Sequence, residues 1–137
     1  MILLDTNVFV WLVSGERPLG PRSNAAIQQA NDVTALRISA ISPWEISMLV
    51  EKGRISLGMD TLGWVETALM HAAISLEPVN PVIAVDAGQL PGKIHGDPAD
   101  RIIIATARFL NCPLLTTDRK ILAYARQGKV EALDARL

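Results

Sequence analysis

The densest chemistry in the chain lies in one stretch, His95-Gly96-Asp97-Pro98-Ala99-Asp100-Arg101. It sets two carboxylates, an imidazole and a guanidinium around a single helix start, in a sequence otherwise rich in Ala, Ile and Leu. Three further acids stand at similar junctions: Asp5 after Ile2-Leu3-Leu4, Glu45 in Ser42-Pro43-Trp44-Glu45, and Asp118 after Leu114-Leu115-Thr116-Thr117. Asp5, Glu45, Asp100 and Asp118 could together hold a hard divalent cation. Oxygen donors without a His or Cys cluster favour Mg2+ or Mn2+. Such an ion activates water and stabilises the phosphoryl oxygens of an in-line displacement.

Each acid also has a purely structural reading. Asp5 and Asp118 suit helix N-caps, because Asp accepts hydrogen bonds from the first free N–H groups of a helix. Ser42-Pro43-Trp44-Glu45 matches a capping box with Pro at the first helical position. Asp97-Pro98-Ala99-Asp100 repeats that geometry, with Asp97 as cap. Asp100 is harder to explain in this way. By helical spacing it shares a face with Ile103, Ile104 and Ala107, which leaves Arg101, Ala105 and Arg108 for the wetter face. A carboxylate at the end of a buried stripe needs a partner.

The elements that must position these acids can be read from apolar patterning. Ile2-Leu3-Leu4 is apolar on both sides, as expected of a strand buried in a parallel sheet. A buried helix over 8–13 follows, then a loop from Gly15 to Gly20 and a helix from Pro21 to Asn31. Leu36 to Ile41 alternates as a second strand. Helices are expected from Ser42 to Lys52 and from Thr61 to Ala73, the latter with Leu62, Val65, Leu69 and Ala72 on one stripe. A short strand over 74–79 and a helix over 81–89, broken by Pro91-Gly92, lead to the helix from Ala99 to Leu110. Leu114 to Thr116 reads as a strand, Arg119 to Arg126 as a helix, and Val130 to Leu133 as a last strand. Strands alternating with helices imply an α/β domain with a mostly parallel sheet, helices on both faces and right-handed crossovers. Asp5, Glu45 and Asp118 then follow the C-terminal ends of three strands, the edge where open parallel sheets bind ligands. Four carboxylates there raise one another's pKa values, and a divalent cation relieves the strain.

Bulk properties agree with one globular domain over 1–137. The 137 residues are 50% hydrophobic but only 4% aromatic, so the core is mainly aliphatic. At this length roughly two-thirds of the unfolded surface can be buried. Thirteen basic residues stand against 14 acidic ones, which gives no sign of the basic surface of a tight nucleic-acid binder. Acids used on a metal are neutralised by it, so a nucleic-acid enzyme stays open. The single cysteine, Cys112, excludes an internal disulfide and a Cys-rich zinc site and suits a reducing cytoplasm. Met1-Ile-Leu-Leu-Asp5 does not read as a signal peptide, and no run approaches the ~20 apolar residues of a membrane span.

The ordered set Leu4-Asp5-Thr6-Asn7, Ser42-Pro43-Trp44-Glu45-Ile46, His95 to Arg101 with its apolar helix, and Leu115-Thr116-Thr117-Asp118 resembles the PIN-domain ribonucleases. The VapC-type toxins of bacterial toxin–antitoxin pairs are the most similar. The resemblance spans essentially the whole chain. It implies a three-layer α/β/α fold and an Mg2+- or Mn2+-dependent endoribonuclease. It puts Asp5, Glu45, Asp100 and Asp118 in the acidic site, with Asp97 a fifth acid of second rank. Thr6, Asn7 and Thr116 would orient carboxylates or water through hydrogen bonds. It further implies a homodimer, silenced by a small antitoxin whose tail occupies the active-site groove.

Around that site, His95 could position RNA or protonate a leaving oxygen. Arg101 and Arg108 could meet phosphates, although Arg119 and Lys120 lie closer to Asp118. Trp11, Trp44 and Trp64 are expected in the core or in dimer contacts, His71 is expected to be structural, and Glu77 and Asp86 lie outside any motif. Two alternatives carry different chemistry. A small metal-dependent phosphohydrolase would want a second Asp beside Asp5, where Thr6 and Asn7 stand. A non-catalytic binding module would use the acids only as caps.

Overall fold

In the computed structural model the first strand lies at the centre of the sheet. The structure describes residues 1–32, 35–94 and 96–137. Its elements run β1 (Ile2–Leu4), α1 (Thr6–Ser14), α2 (Pro21–Asp32), β2 (Leu36–Ser39), α3 (Ile41–Glu51), α4 (Thr61–Ala72), β3 (Ser75–Glu77), α5 (Pro81–Gly88), α6 (Pro98–Leu110), β4 (Leu114–Thr116), α7 (Arg119–Ala125) and β5 (Ala132–Asp134). The strand order is β3-β2-β1-β4-β5, and every pairing is parallel. The chain leaves β1 toward β2 on one side and returns to β4 on the other. This reversal opens a crevice beyond the C-terminal ends of β1 and β4.

Burial on both faces explains the unbroken apolar run of β1. Ile2 and Leu4 join Phe9, Ile27 and Val65 in a core shared with α1, α2 and α4. Leu3 points the other way, with Ile83, Ile103, Ile104 and Ile121 of α5, α6 and α7. The result is a three-layer α/β/α arrangement, as the sequence suggests.

Several boundaries differ from the sequence reading. β2 ends at Ser39, and α3 already begins at Ile41. The Ser39 hydroxyl accepts from the Ile41 N–H at 3.2 Å and turns the chain there. Ala40 therefore occupies the N-cap without a side-chain bond, and the capping box at Ser42 does not form. Pro43 is tolerated in the first turn because N–H groups there have no partner within the helix. Leu62 is 69% exposed, and the buried stripe of α4 starts instead at Val65 and Ala68. Ala105 is fully buried, not on a wet face, because α3 and α5 both pack against α6. Arg108 is accordingly half-buried and paired with Asp86 at 2.8 Å. The last strand starts two residues later and ends one residue later than its sequence pattern implies.

The end of the chain closes against the loop before α2. Gly20 N–H donates to the Ala135 carbonyl at 3.0 Å, and Ser23 N–H to the Leu137 carbonyl at 2.9 Å. A Cβ on Gly20 would lie 2.1 Å from the Leu137 carbonyl carbon. Gly20→Ala must push two backbones apart and is expected to cost about 1–3 kcal/mol. The readout is a lower urea midpoint at unchanged slope. An unchanged midpoint would mean that the tail yields freely.

Candidate functional site

Asp5 is the first residue past the central strand, and only 7% of it is exposed. Its Oδ1 accepts from the Thr6 N–H at 2.8 Å, which caps α1. Its Oδ2 accepts from the Thr116 hydroxyl at 2.7 Å. Thr116 Oγ1 in turn accepts from the Asp118 N–H at 2.9 Å. One buried hydroxyl at the end of β4 thus ties the acid after β1 to the acid after β4.

A second tie reaches α3. The Thr6 hydroxyl donates to Glu45 Oε1 at 2.5 Å and lies 2.9 Å from the Ser42 hydroxyl. Thr6 has one hydroxyl proton, so in that pair Ser42 must donate. Ser42 and Glu45 are three residues apart and share a helix face, as do i and i+3 positions generally. Ser42 is fully buried. The capping-box pattern does not reveal its role in holding Glu45 through Thr6. The signal available in the sequence was that i, i+3 spacing.

Asp97 and Asp118 both cap helices. Asp97 Oδ1 accepts from the Asp100 N–H at 3.0 Å at the start of α6. Asp118 Oδ1 accepts from the Lys120 and Ile121 N–H groups at 2.8 and 3.1 Å at the start of α7. Asp100 lies in the first turn of α6 and is half-buried. Burial is the main force raising its pKa, which is pushed up to about 8. Asp5, Asp97, Asp118 and Glu45 add to that push by repulsion. Asp5 is also raised, chiefly by burial, against the lowering effect of its Thr116 and Thr6 bonds. Glu45 is raised chiefly by burial, with the Thr6 bond opposing and Asp5, Asp97 and Asp118 adding repulsion. Five carboxylates therefore share one field.

Asp97, Asp100, Asp118, Arg119 and Lys120 line an open cleft of about 440 Å³ at this point. Among the described residues, no three His, Cys, Asp or Glu side chains are drawn together closely enough to hold a metal ion as they stand. The donor chemistry nonetheless fits a hard cation. The donors are all carboxylate oxygens, and three of these acids are held away from their ionised form by burial and by one another. Each hydrogen-bonded oxygen of Asp5 keeps a further lone pair.

The other sequence candidates separate clearly. Thr6 and Thr116 are buried hydrogen-bond partners of the acids. Asn7 is exposed at the start of α1, with no side-chain hydrogen bond among the described residues. Arg119 and Lys120 are exposed on the cleft wall. Arg101 turns away from that wall: its Nε donates to the Ala87 carbonyl at 2.8 Å, at the end of α5. His95 lies outside the described residues. Trp64 packs edge-on against Phe9 with ring centroids 5.8 Å apart, and Arg17 lies over Trp11 at 5.2 Å. Trp44, by contrast, is 52% exposed and stands beside Glu45.

A family model for the PIN domain matches residues 2–127. The chain is 33% identical to Ribonuclease VapC22 of Mycobacterium tuberculosis over 123 residues, which is 90% of this chain and 91% of that protein. Its fold is similar to VapBC2 from Rickettsia felis bound to a promoter DNA fragment, with TM-score 0.69, 19% identity, and coverage of 97% and 98% of the two chains. A toxin–antitoxin complex from Klebsiella pneumoniae is similar at TM-score 0.62, with 20% identity and 98% of each chain covered. FitAcB from Neisseria gonorrhoeae is similar at TM-score 0.62, with 21% identity and 98% of each chain covered.

The raised acids set a stability profile for the protein without cation. A carboxyl whose folded pKa lies above its unfolded value holds its proton longer when folded. Stability therefore falls as pH rises from the unfolded value toward the folded one, and the loss is complete above both. For Asp100 that window runs from 3.8 to about 8. The melting temperature in EDTA is expected to fall across pH 5 to 8, and Asp100→Asn should flatten the fall and melt higher at pH 8. Equal slopes in both proteins would show that Asp100 carries no such burden.

Proposed function

The chain belongs to the PIN-domain family, on its VapC-type branch, and from that premise we propose that it is a divalent-metal-dependent endoribonuclease, the toxin of a toxin–antitoxin pair. The observation that carries the reading is the half-buried Asp100, pushed up to about 8 by burial and four neighbouring acids at a cleft that opens to solvent. A group so perturbed in a cleft is expected at a working site more than in a structural ion network. The identity to Ribonuclease VapC22 supports RNA as substrate.

In this reading Asp5, Glu45, Asp100 and Asp118 hold Mg2+ or Mn2+, with Asp97 contributing at second rank. The bound ion supplies Lewis-acid stabilisation of phosphoryl oxygens and makes water a better nucleophile at neutral pH. The protein's own groups do the rest. Thr116 and the Thr6 amide aim the two oxygens of Asp5. Thr6, itself held by Ser42, aims Glu45. Asp100, raised by burial and by the four other acids, is the carboxylate whose charge a cation would relieve most. Arg119 and Lys120 attract the phosphate backbone to a cleft whose other walls are acidic.

The partners follow the same reading. A cognate antitoxin is the expected partner, in keeping with a toxin–antitoxin complex of the same fold, and in this reading it covers the cleft. The unit acts as a single domain over 1–137 and as a homodimer, and Leu62 and Met70 on α4 offer apolar surface at 69% and 77% exposure. Among the described residues no helix is long and apolar enough to cross a membrane. A cytoplasmic site of action belongs to the same reading, since RNA is the substrate. Purified protein is expected to cleave an RNA pool, to lose that activity in EDTA and to regain it with Mg2+ or Mn2+. Asp5→Asn and Asp100→Asn should each lower cleavage by about 100-fold or more. Full activity in either variant, or activity indifferent to EDTA, would overturn the assignment.

A further inference from the structure

Beside the acidic cleft runs a second groove of about 210 Å³, lined on one side by α3 and on the other by the start of α6. Glu45 and Asp97 belong to its wall, so it opens directly onto the acids. Trp44 and Met48 on α3 and Lys52 at its C-cap succeed one another at four-residue spacing, and Arg54 follows in the connector. Trp44 and Lys52 are thus about 12 Å apart along the helix axis. Lys52 and Arg54 are exposed, and among the described residues neither forms an ion pair.

We infer that this groove binds the single-stranded RNA flanking the scissile phosphate, with a nucleobase stacked on the Trp44 indole and the backbone held by Lys52 and Arg54. The inference rests on the ribonuclease reading above and names residues it did not use. A large aromatic left half-exposed beside a polar site gains little from the core, whereas it offers a flat apolar face to a base. The charge pattern fits the same occupant. Phosphates are repelled by the acids unless a cation is present, and Lys52 and Arg54 supply positive charge at the far end of the groove. A duplex keeps its bases stacked on each other, so the groove selects single strands.

The test uses the Asp100→Asn protein, so that RNA survives the measurement, and a labelled pool of random single-stranded RNA oligonucleotides. Adding Trp44→Ala is expected to weaken binding by about 5- to 100-fold, the range for loss of one stacked base. Trp44→Phe should restore most of the affinity, and Trp44→Leu should not. Lys52→Ala with Arg54→Ala should weaken binding and reduce its salt dependence. Duplex RNA should be indifferent to Trp44. In protein with its acids intact, Trp44→Ala should raise KM more than it lowers kcat. Unchanged affinity in Trp44→Ala overturns the inference. So does full rescue by Leu, which would show that any apolar side chain serves there and that no base is stacked, or failure of the Asp100→Asn protein to bind RNA at all. Loss of cleavage without these binding effects would sink the stacking role and leave the nuclease assignment intact. Intact stacking effects in a protein that never cleaves would do the reverse.

Discussion

The bond between Thr116 and Asp5 is the contact on which the working end of this molecule depends. It joins the acid after β1 to the last residue of β4, across the one place where the chain reverses direction in the sheet. A carboxylate 7% exposed cannot stay ionised there without donors. Thr116 gives one, and the first amide of α1 gives another. Removing the hydroxyl would leave Asp5 short of a donor and Asp118 without the acceptor for its amide. The sheet registry and the acidic cluster are therefore held by the same few atoms.

Much of this was legible from sequence because strand, turn and cap signals are local. The run Ile2-Leu3-Leu4, the Asp97-Pro98 start and the stripe of Ile103, Ile104 and Ala107 all reflect rules that act within one turn or one strand. Ser42 was misread for the opposite reason. Its hydroxyl satisfies a capping pattern on paper, but its partner is Thr6, 36 residues earlier. Ala105 was misplaced because helical periodicity reports one buried face, whereas α6 is covered on more than one side. The bond from Arg101 to the carbonyl of Ala87 at the end of α5 is likewise invisible from its neighbours in sequence. Local code names the elements, and tertiary contacts decide what a polar side chain is for.

Three acids of the cluster also cap helices: Asp5 for α1, Asp97 for α6 and Asp118 for α7. Each cap is worth on the order of 1 kcal/mol, and each puts a carboxylate against the positive end of a helix dipole. These three carboxylates thus have a structural reason to converge on the crevice, apart from any cation. Glu45 and Asp100, which cap nothing, depend on burial and on threonine or neighbouring groups instead. Pre-organisation and electrostatic tension in the cleft have one origin, the convergence of helix starts on the crevice between β1 and β4.

The hop from β2 to α3 through Ala40 alone has an evolutionary consequence. With no loop between them, α3 is welded to the sheet, and its inward positions Ser42, Glu45 and Ile46 are constrained by burial and bonding. Its outward positions Trp44 and Met48, with Lys52 at its C-cap, face a groove and carry no such constraint. One helix therefore carries an inward row fixed by burial and bonding and an outward row that is not. Descendants of this chain can drift in what they recognise by changing the outward row, while the inward row keeps the chemistry in place.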